Sequence, residues 1–400
     1  MPGLSQRLSR VQVAATVAMT NRARALRAEG HDVIALTIGE PDFASPPHAI
    51  EAAHQAALAG QTKYTQQDGI PALKLAVQRK FKRDTGLDFA LDQIMVANGG
   101  KQVIFDAMMA TVNDGDEVVI PAPYWGAYPL TTKLCGGEPV LVNCPENNGF
   151  KLRPEDLDAA ITPKTKWLLL NFPNNPTGAA CSPEELRAIA DVMLKHPHVW
   201  IMSDDMYEHL MYADFKYSTI AQIEPKLRDR TLTISGVSKT YAMTGWRIGF
   251  GAGPKDLIKA MVNIQGHATA GVSGITQAAA VAALDGPQEQ VAEQAAIYRQ
   301  RRDLVVDALN AMPGITCHRP EGAFYVYPNV AGCLGRTTAK GARIESDGDF
   351  AMALLDEGHV ALVGGEGFGM SPYVRISYAT DTDSLREAMK RMAVFTAGLK

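Results

Sequence analysis

The sequence predicts an α/β protein: a mainly parallel, doubly wound sheet covered by helices, joined to a smaller α+β lobe. Three observations lead there. Strand-like and helix-like stretches alternate from about residue 93 to residue 202, the pattern of successive βα units. The chain has 400 residues, beyond the size at which one hydrophobic core stops growing. After a long helical stretch, the last part of the chain changes to strands set among helices.

Taken in order, an Ala- and Arg-rich segment from Ser9 to Glu29 predicts a helix that Gly30 stops. A short strand over Ile34–Ile38 follows, then the turn Gly39-Glu40-Pro41-Asp42-Phe43, whose Gly and Pro fix the backbone. Pro46-Pro47 opens a helix to about Ala59, since proline suits a first helical turn. The loop Lys63–Pro71 leads to a Lys- and Arg-rich helix ending near Arg83. The βα series is then Gln93–Ala97 and Gln102–Val112, Glu117–Pro121 and Tyr124–Leu134, Glu138–Val142 and Pro154–Ile161, Lys166–Leu170 and Pro183–Lys195, then strand Val199–Met202. Ser182 caps the Pro183 helix. Strand Arg230–Ile234 precedes helices at Pro254–Asn263, Ile275–Leu284 and Pro287–Met312, the last long enough to bridge to a second lobe. Ala323–Tyr327 and Val374–Tyr378 are the strands of that lobe.

Composition narrows the partners. Net charge is −4, and Lys and Arg are scattered rather than striped, so no nucleic-acid footprint exists. Small metabolites are expected instead. No run of 18 apolar residues spans a membrane. Five cysteines without a Cys-x-x-Cys pair suit reduced thiols. The first 28 residues hold five arginines and no acid, as transit peptides do, but they run without a break into structured chain. A mature N-terminal arm and a cytoplasmic protein are therefore expected. His196-Pro197-His198 is the one close histidine pair and lacks a nearby third ligand, so no metal is expected.

The chemistry collects where strands end, at the edge where open parallel sheets hold ligands. Lys239 follows strand Arg230–Ile234 in Gly236-Val237-Ser238-Lys239-Thr240, and a lysine so placed can form a Schiff base with a carbonyl compound. Arg247 supplies a fork for phosphate. The turn Asn98-Gly99-Gly100-Lys101 offers backbone N–H groups and a positive helix end to the same kind of anion. Asp204 ends Ile201-Met202-Ser203-Asp204, Asn175 lies in Asn174-Asn175-Pro176-Thr177-Gly178, and Trp125 in Pro123-Tyr124-Trp125. Arg375 sits in an apolar strand, where an unpartnered charge is costly. It has either a buried structural partner or a carboxylate ligand held two-pronged.

Gly-x-Ser-Lys followed by Gly-Trp-Arg-x-Gly resembles the cofactor-lysine signature of class I and II aminotransferases, pyridoxal-phosphate enzymes of fold type I. Asn174-Asn175-Pro176-Thr177-Gly178, Ser203-Asp204-Asp205-Met206-Tyr207-Glu208-His209 and Arg375-Ile376-Ser377-Tyr378-Ala379 extend the likeness over nearly the whole chain. Gly39-Glu40-Pro41-Asp42-Phe43, Lys63-Tyr64-Thr65, Gly99-Gly100-Lys101-Gln102 and Pro123-Tyr124-Trp125 resemble the bacterial aspartate aminotransferases of subgroup I-beta.

The resemblance implies a large domain over 48–296 with a seven-stranded sheet, and a small domain made of 297–400 with the arm 1–47. It implies pyridoxal 5′-phosphate, amino-acid and 2-oxo-acid substrates, and a homodimer with shared active sites. It implies that Lys239 binds the cofactor and shuttles the proton, that Asp204 pairs with the ring nitrogen, and that Asn175 and Tyr207 bind the ring's 3-oxygen. Trp125 would stack on the ring. Gly100, Lys101, Ser238 and Arg247 would hold the phosphate, with Tyr64 from the partner subunit; Gly236 stands where some relatives have a hydroxyl, a contact that Ser235 would take over. Gly39, Trp125, Asn175 and Arg375 would contact substrate, and Lys101 would attract a second carboxylate. Gln12 would lie in a segment that closes over the site. Aspartate:2-oxoglutarate transamination is the activity implied; aromatic, prephenate or alanine specificity on the same machinery is the alternative. A pyridoxal-phosphate-dependent transcription regulator is disfavoured, since too little chain precedes Gly39 for a winged helix-turn-helix.

Overall fold

The computed structural model describes residues 3–11 and 15–400, without the side chains of 15–18. Gln12 and part of the predicted Ser9–Glu29 helix lie outside the described residues. Around them the chain forms a 3-10 turn over Gln6–Arg10 and an α-helix over Ala15–Ala28.

The main sheet has seven strands: β1 (Ile94–Ala97), β2 (Glu117–Ala122), β3 (Glu138–Asn143), β4 (Thr165–Asn171), β5 (Trp200–Asp204), β6 (Thr231–Gly236) and β7 (Gly249–Ala252). Their order is β1-β7-β6-β5-β4-β2-β3. Strands β2 to β6 pair in parallel, while β7 runs antiparallel to both β6 and β1. The central strands read as nearly continuous apolar runs because helices cover both faces. β7 is absent from the sequence-based prediction, since Gly-Phe-Gly-Ala has little strand propensity. Its glycines have a packing cause. A Cβ on Gly249 would stand 2.2 Å from the Gly100 nitrogen, and one on Gly251 2.8 Å from Val103, so the helix Gly100–Thr111 seats directly on this strand.

The long helix Glu289–Asn310 buries Val291 in one core and Tyr298, Val305 and Leu309 in another, at helical spacing. The second core belongs to a three-stranded antiparallel sheet of Val363–Gly364, Val374–Ser377 and Tyr325–Val326 with helices Asp347–Gly358 and Thr382–Ala397. The N-terminal strand Ile34–Ala35 pairs in parallel with Val360–Ala361, on this lobe rather than on the main sheet. Among the described residues no helix is long and apolar enough to cross a membrane.

Candidate active site

A cleft of about 1020 Å³ opens at the carboxyl edge of the main sheet, where it meets the second lobe. Sheet register explains what gathers there: Asn171 at the end of β4 is level with Asp204 at the end of β5, and Asp204 with Ile234 of β6, which leads to Lys239.

Lys239 is half-buried, and its ammonium donates to the Gly39 carbonyl. Burial pulls its pKa down to about 8, the Arg375 and Arg247 cations act the same way, and Glu40 and Asp204 oppose them. An amine so poised is a nucleophile and proton carrier near neutral pH.

Asp204 is buried, and its Oδ2 accepts from the Tyr128 hydroxyl at 2.6 Å. Burial raises its pKa to about 6, against the pull of Tyr128, the Met206 backbone N–H and Lys239. Neighbouring Asp205 faces away, its Oδ1 accepting from Ser203 at 2.6 Å. Strand alternation separates the pair.

Arg375 is buried, with no carboxylate partner among the described residues. Its Nη1 donates to Asn175 Oδ1 at 3.0 Å and its Nη2 to the Thr37 carbonyl at 2.6 Å, while Nε has no partner. Rings of Phe368 and Tyr325 lie 4.7 and 4.9 Å from the guanidinium. A buried cation at the wall of a cleft, with no carboxylate partner among the described residues, suits a carboxylate ligand. The Asn175 backbone N–H donates to Asn171 Oδ1 at 3.0 Å, so Asn171 locks this corner. The Tyr207 hydroxyl pairs with that of Tyr325 at 2.9 Å, beside Gly39.

At the far end, Gly99 holds φ +95° and starts the helix Gly100–Thr111, where the Gln102 N–H donates to the Gly99 carbonyl at 3.0 Å and the N–H groups of Gly100 and Lys101 come before any intrahelical acceptor. A Cβ on Gly99 would come 2.3 Å from Arg247 Nη2. Arg247 is exposed and anchored by the Thr244 and Asn98 carbonyls at 2.9 and 3.1 Å, and Ser238 lines the same end. Glycine backbone, a helix N-terminus and a guanidinium with no carboxylate partner among the described residues make a cradle that suits a phosphate. Lys101 stands with its ammonium 4.8 Å from the Trp125 ring, and Trp125 meets Tyr128 edge-to-face at 5.4 Å. Burial, then Arg247, lower the Lys101 pKa.

Two predicted residues are not in this cleft. Ser235 is corrected: it points to the opposite face of β6 from the cradle, where its hydroxyl donates to Glu208 at 2.5 Å. Tyr64 is 98% exposed and does not line the cleft of its own chain. Residues that sequence reasoning missed are Tyr128, Asn171, Tyr325 and Thr37. Tyr128, on the helix Ala127–Leu134, and the others are known only through tertiary contact. Asp84, Glu208 and His209 also gather within 4.8 Å, but the Lys80 ammonium bridges Asp84 and Glu208 at 3.6 and 2.5 Å, so the chain supplies its own cation there.

An amine near pH 8, a buried carboxylate, a phosphate cradle and an unpaired arginine converging in a doubly wound α/β fold define an enzyme of amino-group chemistry. Comparison with known proteins agrees. The model for "aminotransferase class I and II" matches residues 31–392, and the chain belongs to that family. It is 55% identical to an aspartate/prephenate aminotransferase of Cereibacter sphaeroides over 100% of both chains. It is 51% identical to the aspartate aminotransferase of Rhizobium meliloti, over 97% of this chain and 95% of that one. The crystal structure of an aspartate aminotransferase from Rhizobium meliloti superposes with a TM-score of 0.98 at 50% identity, covering 100% of both chains. That of Thermus thermophilus with maleate gives 0.91 at 39% identity, covering 98% of this chain and 100% of the other. The protein is thus an aminotransferase acting on amino and 2-oxo acids, in a family that uses pyridoxal phosphate.

Proposed function

We propose that this chain transaminates aspartate with 2-oxoglutarate on bound pyridoxal 5′-phosphate, the amino acid leaving as its oxo acid before the second substrate enters. The observation that carries this reading is a pair of cations in one cleft, Arg375 and Lys101, neither having a carboxylate partner among the described residues. Two cations match the two carboxylates of a dicarboxylic substrate.

The residues fit the cofactor. Gly99, Gly100, Ser238 and Arg247 would hold its phosphate, Asp204 its ring nitrogen, Asn175 and Tyr207 its 3-oxygen, and Trp125 its face. The cofactor supplies an electron sink for the bond broken at the substrate α-carbon. Asp204 keeps a proton at the ring nitrogen, and its raised pKa makes it ready to share one. Lys239 would take the proton from the substrate α-carbon on its Nζ and give it back, and its lowered pKa keeps a neutral fraction near neutral pH. Arg375 fixes the α-carboxylate, Gly39 offers backbone to the same group, and Lys101 takes the second carboxylate.

The dimer is proposed too, with Tyr64 of each protomer reaching its partner's cleft; its 98% exposure supports this. Domain limits of 48–296 and of 297–400 with 1–47 are supported by the pairing of Ile34–Ala35 with Val360–Ala361. Five free cysteines support a cytoplasmic location. A second reading, a wider range including prephenate, is favoured by the printed name of the Cereibacter relative.

The test is product analysis. Aspartate and 2-oxoglutarate should yield oxaloacetate and glutamate, with kcat/KM for aspartate above those for phenylalanine and alanine. Preference for a neutral amino acid would overturn the assignment of Lys101.

A further inference from the structure

One ion pair outside these assignments stands behind the cleft. Arg301, in the helix Glu289–Asn310, donates Nη1 and Nη2 to the two carboxylate oxygens of Asp42 at 2.8 and 2.9 Å. The Arg301 side chain is only 7% exposed, and its guanidinium lies 5.4 Å from the Phe43 ring and 5.7 Å from the Tyr298 ring. Phe43 and Tyr298 also meet edge-to-face at 5.2 Å. Asp42 and Phe43 are thus pinned to the helix that enters the second lobe.

The other end of the same segment touches the chemistry. The Thr37 carbonyl accepts from Arg375 Nη2 at 2.6 Å, and the Gly39 carbonyl accepts from the Lys239 ammonium. Gly39 is seated so closely that a Cβ would stand 2.1 Å from the Tyr325 hydroxyl. Between Gly39 and Asp42 lies Pro41, whose ring fixes φ, so little slack separates the pinned end from the working end.

We propose that Asp42 and Arg301 are positioning residues for transamination: their two-pronged pair sets the Thr37–Gly39 backbone, and through it both Arg375 and Lys239. Stability alone does not account for such a pair, because Asp42 is 24% exposed and an ion pair open to solvent on one side contributes little. A guanidinium fork adds orientation, which a lysine in its place would not. The pair also ties this segment to the lobe that carries Arg375, so the α-carboxylate site and the proton carrier keep one spacing. The inference rests on the function proposed above for its kinetic arm only.

The test compares Asp42→Asn, which keeps the shape, and Arg301→Lys, which keeps the charge and loses the fork. Asp32→Asn is the control; it breaks the Asp32–Arg391 pair at 2.5 Å, which does not touch the segment. Two readouts are used: kcat and KM for aspartate, and the pH midpoint for reaction of Lys239 with an amine-directed reagent in the full chain stripped of cofactor. Both Asp42→Asn and Arg301→Lys should raise KM about tenfold with a smaller change in kcat. Both should lower the Lys239 midpoint, because a lost carbonyl acceptor disfavours the ammonium. Asp32→Asn should lower Tm and move neither. Variants that lose Tm while KM and midpoint stay at wild-type values would overturn the proposal. If the wild type fails to transaminate aspartate, the proposed function falls, and the midpoint alone decides the positioning role.

Discussion

The Tyr128 hydroxyl donates to Asp204 Oδ2 at 2.6 Å, and both groups are buried at the floor of the cleft. Burial drives the Asp204 pKa from 3.8 to about 6, and this hydrogen bond is the largest influence holding it from going higher. The folded protein therefore binds more protons than the unfolded chain between those two values. The stabilisation is fully present below about pH 4 and is lost as pH rises through about 6. In Tyr128→Phe the upper end of that window should rise by about one unit, worth ~1.4 kcal/mol. Thermal melting of the cofactor-free protein across pH measures it, and superimposable wild-type and variant curves would count against the coupling.

Lys101 is assigned to the substrate's second carboxylate. In Lys101→Ala, kcat/KM for aspartate should fall roughly 10- to 100-fold, the worth of one charge-assisted hydrogen bond. The value for phenylalanine should hold or rise. An equal loss for both substrates would show that Lys101 serves the cofactor instead.

Ser235→Ala separates the corrected assignment from the original one. The hydroxyl serves Glu208 on the face of β6 opposite the cradle. Its loss should cost about 1 kcal/mol of stability and leave cofactor affinity within twofold of wild type. A tenfold weaker cofactor affinity would return Ser235 to the phosphate site.

Much of the site was legible because its chemistry follows strand ends. Lys239, Asp204 and Asn175 each sit just beyond or at the end of a strand, and Arg375 is a charge in an apolar strand with no evident local partner. Ser235 misled because nearness in sequence was read as nearness in space; alternation in β6 sends it to the other face. Tyr128 was hidden because a buried helix tyrosine looks like core until its hydroxyl finds a carboxylate. β7 was hidden because its glycines serve close approach of the helix Gly100–Thr111, and that contact is not local. The helix predicted over Tyr124–Leu134 starts later, at Ala127, leaving Trp125 in the loop that faces the cleft.

We propose that Lys239 carries amino-group exchange with a dicarboxylic substrate. The most direct measurement is the absorbance of protein-bound cofactor on adding L-aspartate and then 2-oxoglutarate, for wild type and Lys239→Ala. In the wild type the band should shift with aspartate and return with 2-oxoglutarate, and the variant should show no such cycle. A wild-type spectrum that aspartate leaves unchanged, or a variant that cycles at the wild-type rate, would contradict it.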